Sequence, residues 1–188
     1  MIPFTEADLR PMSKTVPFEQ CDLRLRQVYD YWQEKRVDRP MPSRRDIDPA
    51  ELKGVLPYLV LTDVTDGGTR FRYRLFGTAV AQAFGMDPTG RFIEDVMSEA
   101  KYRNFILGLY RDIVMMRRPV FSTTRYGSQR DIQMWTERLM LPLSGDGKNV
   151  DMILTCQVFT YSSPLKNQTV RLAQDKAEPI DSLTKILD

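Results

Sequence analysis

At 188 residues the chain is long enough for one well-buried core and barely long enough for two. Apolar residues at 42% and charged residues at 28% are ordinary for a globular domain, and a formal charge of +2 is too small to point to nucleic acid or a membrane surface. The sequence contains no histidine, which removes the usual general base, zinc ligand and proximal haem ligand together, along with every triad that needs an imidazole.

Residues 1–20 hold three prolines and no periodicity, so they read as an extended arm without the basic start or apolar run of a signal peptide. Residues 21–57 form the next unit. From Asp22 to Arg36, Leu25, Val28, Tyr29 and Trp32 fall at helical spacing between charged neighbours. Asp48-Pro49-Ala50-Glu51 has the order of a helix start, with Gly54 and Pro57 ending a short helix. Cys21 and Cys156 lie far apart in no metal or redox spacing, and read as reduced thiols of a cytoplasmic protein, Cys21 on the exposed N-terminal side.

Residues 58–161 carry the core. Tyr58–Thr65 and Arg70–Phe76 flank Asp66-Gly67-Gly68-Thr69, a hairpin signal. The second strand alternates, with Phe71, Tyr73 and Leu75 on one face and Arg70, Arg72 and Arg74 on the other. Helical segments follow near residues 79–84, 91–97 and 101–116, and then three strands over 120–126, 132–143 and 150–161. Between Lys101 and Arg130 basic residues outnumber acidic ones seven to one, read as a solvated helix face and strand ends or, alternatively, as a surface for an anionic partner or ligand. The tail, residues 162–188, is polar, and Leu183, Ile186 and Leu187 suggest an amphipathic turn behind an Asp181 cap. No run of 18 apolar residues occurs, so no membrane span is expected. Strands on both sides of a helical cluster argue for an α+β domain with one antiparallel sheet.

Arg45-Asp-Ile-Asp-Pro49, Phe71-Arg-Tyr-Arg-Leu75, Gly77-Thr78, Gly85-Met-Asp87, Thr89-Gly90 and Leu141-Pro-Leu-Ser144 together resemble the PAS fold, and within it the compact single-domain PAS proteins of alphaproteobacteria. The resemblance runs over about Trp32 to Tyr161. It implies a five-stranded antiparallel sheet curled around a small cavity and closed by the intervening helices on one face; the N-terminal helix is expected on the other face for the reason given below. It also implies a domain that binds a small molecule or another protein. Photosensing flavin members of the fold use a cysteine in their intervening helices, and residues 79–116 have none. Haem-binding members commonly use a histidine there. No cofactor and no metal are therefore expected.

Under that resemblance the cavity wall falls to Phe71, Tyr73, Leu75, Tyr102, Phe105, Ile106 and Tyr110, which serve equally well as a filled aromatic core. The last two strands are apolar on both faces, so something must cover the outer one. The N-terminal helix is expected to do so, setting Leu25, Val28, Tyr29 and Trp32 against Met134, Met140, Ile153 and Phe159, within one chain or across the two-fold axis of a homodimer. Trp135, Glu137 and Arg138 read as a surface patch or a solvated ion pair. Adjacent acids such as Glu94-Asp95 make no acid–base couple. The expected function is a non-catalytic cytoplasmic sensor or adaptor that relays its state through the N-terminal helix or a dimer interface. Its partner would be a sensor histidine kinase or another PAS protein, with no nucleic acid or membrane involved. The alternative is a small-molecule binding or carrier module.

Overall fold

The structure, a computed structural model, describes residues 18–127, 133–162 and 178–187. Of the expected arm at 1–20, residues 1–17 lie outside them, and Phe18–Gln20 are a correction: they form a 3-10 turn with Phe18 buried. Asp22 caps α1 (Leu23–Arg36) by accepting the Arg24 amide at 2.9 Å. After α1 come β1 (Leu59–Thr65) and β2 (Arg70–Phe76), joined by a tight turn in which Asp66, Gly67 and Gly68 all have positive φ. Next are α2 (Thr78–Phe84), α3 (Ile93–Val96) and α4 (Ala100–Met116), the last capped by the Glu99 carboxylate. The chain closes with β3 (Val120–Gly127), β4 (Gln133–Leu143), β5 (Met152–Ser162) and β6 (Glu178–Ile186).

All neighbouring strands are antiparallel, in the order β2-β1-β5-β4-β3-β6. The first five strands form the expected sheet. The sixth corrects the reading of the tail, where a helical turn behind Asp181 was expected. Its physical reason is the outer edge of β3, whose backbone groups would otherwise go unpaired; β6 pairs along it from Val120↔Ile186 to Gly127↔Glu178. Pro179 is tolerated because β6 is itself an edge strand.

The expected helix after Asp48 is also absent. Asp48 accepts the Ala50 amide at 2.8 Å, but the following residues form successive turns, because too few residues separate Pro49 from Gly54 for an α-helical ladder. Glu51 pairs with Lys35 of α1 at 2.7 Å instead of closing a capping box.

The sheet has two covered faces. On the outer one, α1 crosses β4 and β5 within the same chain. Trp32 donates its indole N–H to the Pro142 carbonyl at 2.9 Å, the Asp22 amide donates to Glu137 at 2.8 Å, and Phe18 packs edge-on against Phe121 at 5.6 Å. Leu25, Val28 and Trp32 are buried there, so the apolar face that suggested a homodimer is already occupied by the chain itself. The register places Glu137, Leu139, Leu141, Leu154, Cys156 and Val158 on this face.

Cys21 is buried rather than exposed, and Cys156 is buried as well. Desolvation, and then the Glu137 carboxylate, push the Cys21 thiol up to about 12. Burial likewise pushes Cys156 up to about 12. Thiolate is the reactive form. In native protein at pH 8 neither thiol is expected to react with a disulfide reagent on the timescale of a free cysteine, and both should react in denaturant. Rapid native labelling would show that the α1–sheet seam opens.

Candidate functional site

The inner face of the sheet lies under α2–α4. Register puts Val60, Thr62, Tyr73, Met140, Arg138, Thr155, Gln157 and Phe159 on it. Between these residues and the helices lies a cavity of about 30 Å³, closed on the helical side by Val80, Phe84, Met97, Tyr102, Ile106 and Tyr110. That space holds a water or two, at about 10–15 Å³ each.

Of the seven residues expected to line a cavity, Tyr73, Tyr102, Ile106 and Tyr110 do so. Phe71 is fully buried beside them, 5.0 Å from the Tyr110 ring, and Phe105 is a partly buried flank of the core. Leu75 is a correction. A β-bulge shifts the β1–β2 register between Leu61 and Thr62, so Tyr73 pairs with Thr62 while Leu75 pairs with Leu61 on the outer face. The extra residue inverts the alternation. Leu75 is 46% exposed as a result, and Phe76 takes its place in the cavity wall.

The expected interface set is corrected in the same way. Leu25, Val28, Tyr29 and Trp32 belong to α1 as expected, but Met140, Ile153 and Phe159 share the inner face with Arg138 and Thr155, and Met134 shares their alternation. The residues that meet α1 are their neighbours in sequence. Of the two apolar faces of β4 and β5, α1 covers the one opposite to that expected.

The polar part of the cavity was missed. Arg138, read from sequence as a surface ion-pair member, is only 4% exposed and donates from Nε to Gln157 Oε1 at 3.4 Å. Glu137 points the opposite way, to Asp22. Thr62 and Tyr110 share a hydroxyl hydrogen bond of 3.1 Å across the sheet–α4 seam. Burial raises the Tyr110 phenol above its usual range, opposed by that bond and by the positive charge of Arg138. Thr155 adds a buried hydroxyl beside the Tyr110 phenol. An inner face carrying a guanidinium, an amide and hydroxyls is chemically equipped to orient a small polar molecule.

The cavity is far below the roughly 300 Å³ at which ligand pockets usually begin, and α2–α4 contain no cysteine to form the adduct that photosensing flavin members use. Among the described residues, no cluster of three or more acids and cysteines is placed to hold a metal ion. No helix among them is long and apolar enough to cross a membrane.

A single antiparallel sheet covered outside by its N-terminal helix, with the helices between its second and third strands roofing a small cavity of apolar and polar lining, makes an α+β domain. The PAS domain family matches residues 22–158, and the chain belongs to that family. Among solved structures, a Rhodobacter sphaeroides LOV protein is similar at 13% identity and a TM-score of 0.42, over 65% of this chain and 73% of that one. An RNA-binding Light-Oxygen-Voltage receptor is similar at 18% identity and a TM-score of 0.40, over 62% of this chain and 35% of that one. No curated protein matches the sequence.

Proposed function

We propose that the protein is a PAS sensor or adaptor in which a small polar ligand enters the cavity and α1 relays its presence to a signalling protein. The single observation that carries this reading is the shared use of β4 and β5. Arg138, Thr155, Gln157 and Phe159 face the cavity, while the opposite sides of the same strands support α1. With about 30 Å³ of space, any ligand larger than a few atoms must displace side chains to bind. On the sheet side of the cavity, that displacement falls on strands that carry α1 on their other side. A carrier needs a roomy site that holds cargo without disturbance, so the small cavity favours sensing over carriage.

A sensor histidine kinase or another PAS protein is the proposed reader, meeting the exposed side of α1, where Leu23 is largely solvent-exposed. The test is hydrogen exchange of the α1 amides across a panel of small polar molecules, run alongside native mass spectrometry. A true ligand should raise the melting temperature, change exchange in α1 more than in α4, and lose its effect in Arg138→Gln. Ligand-induced stabilisation with unchanged α1 exchange would sink the relay. No stabilisation by any small molecule would sink the sensing site.

A further inference from the structure

A second concavity lies on the outer side of the β1–β2 hairpin, and its chemistry is unlike that of the cavity. Its volume is about 610 Å³, and it is lined by Arg39 after α1, Arg44 and Arg45 of the turn that follows, Arg72 and Arg74 of β2, and the β4–β5 connection at Gly145 and Asp151. Five guanidiniums surround it, against two lining carboxylates, Asp63 and Asp151.

Both carboxylates are already engaged. Asp63 is buried and receives Arg72 at 3.1 Å and Arg74 at 2.6 Å, while Asp151 accepts the Gly145 amide at 2.6 Å. Arg39 is held by Asp46 at 2.9 Å, and Arg44 donates to the Ile47 carbonyl at 2.9 Å. Arg45 is exposed. Four of the five forks are therefore pinned by fixed acceptors, yet Arg72 and Arg74 remain 45% and 54% exposed, and each guanidinium carries more N–H donors than its bond to Asp63 uses. Pinned forks lose little side-chain entropy on meeting an anion. Exposed ion pairs contribute little stability, so the fold has small need to gather five like charges here.

We propose that this groove is a docking site for an acidic segment of a protein partner. The arginines come from separate chain segments around a groove far larger than one phosphate. No aromatic ring lines it, so it offers a nucleotide base nothing to stack on. Strand addition is closed off as well, because Gly90 and Arg91 already hydrogen-bond the β2 edge at Tyr73, at 2.7 and 3.0 Å. What remains is side-chain recognition of carboxylates spaced along a peptide. Arg72 and Arg74 flank Tyr73, whose ring lines the inner cavity, so the two sites share one strand. The groove stands whether or not the cavity takes a ligand.

The test uses the full chain and a fluorescein-labelled poly-glutamate peptide at low ionic strength, followed by anisotropy, with poly-glutamine and oligo-deoxythymidylate as comparators. Poly-glutamate should bind and poly-glutamine should not. Arg45→Glu, at an exposed position outside the core, should weaken binding roughly tenfold with an unchanged melting temperature. Arg74→Gln should also weaken it. Arg111→Glu, an equal charge change on the exposed face of α4, should leave it unchanged. Equal losses from Arg45→Glu and Arg111→Glu would overturn the proposal in favour of diffuse attraction. Tighter binding of the oligonucleotide with the same Arg45 dependence would overturn it in favour of a nucleic-acid site. Absence of poly-glutamate binding would overturn it outright.

Discussion

Trp32→Ala is expected to cost the domain about 4 kcal/mol, within the range for removing a large aromatic from a core. The indole is almost wholly buried between α1 and the sheet, and its N–H is the bond that ties the helix to the Pro142 carbonyl at 2.9 Å. Truncation removes the packing, opens a cavity and leaves a buried carbonyl without its donor. Domains of this size are stable by only about 5–15 kcal/mol in total, so urea unfolding should shift its midpoint far to lower concentration. Trp32→Phe separates the two contributions, since it keeps most of the packing and loses the donor; about 1 kcal/mol is the expected loss from the bond. A loss under about 1 kcal/mol for Trp32→Ala would mean that α1 is not seated on the sheet, and the relay proposed above would have no mechanical link.

The sequence made the sheet legible because strand periodicity and turn chemistry agree over most of its length. Phe71 and Tyr73 alternate with arginines, Gly67 and Gly68 supply the positive φ of the hairpin, and Gly85 ends α2 in the left-handed region at φ 91°. The stripe on α1 was legible for the same reason. Errors arose where one local rule was overridden by pairing. Alternation alone carries Leu75 inward, and only the partner strand reveals the bulge that turns it out. Strand direction within β4 and β5 was clear, but which apolar side faced α1 depends on the handedness of the chain's path over the sheet, which periodicity does not contain. Arg138 shares its alternation with Met134 and Met140, which marks it for burial on a covered face whichever face that is; the adjacent Glu137 made an exposed ion pair look sufficient. The segment at 178–186 is polar and holds a proline, so nothing local marks it as a strand, and it is ordered by the open edge of β3.

Gly77→Ala is the second large expected effect, and conformation is not its cause. Gly77 has φ −62° and ψ 148°, values open to alanine. What alanine lacks is room. A Cβ at this position would stand 2.7 Å from the Leu59 carbonyl oxygen and closer still to that of Pro57. Both obstacles are backbone atoms, which cannot rotate aside as the tip of a side chain would. The Gly77 amide donates to Leu59 at 2.8 Å and its carbonyl accepts from Ala81 at 2.8 Å, so this residue both closes the β1–β2 ladder and starts α2. Relief of the clash must lengthen one or both bonds, and a loss of about 3 kcal/mol is expected, the upper part of the usual range for overpacking. Gly108→Ala is the matched control. It sits within α4 with nothing inside 4 Å of an added Cβ, and alanine there should stabilise by roughly 0.5–1 kcal/mol through helix propensity. Opposite signs at the two glycines in urea unfolding would confirm the close passage at Gly77. Because Val80 and Phe84 of α2 and Phe76 of β2 line the cavity, that passage also sets the cavity's width. A neutral Gly77→Ala would mean that β2 and α2 do not meet β1 as described, and the cavity wall they form would have to be redrawn.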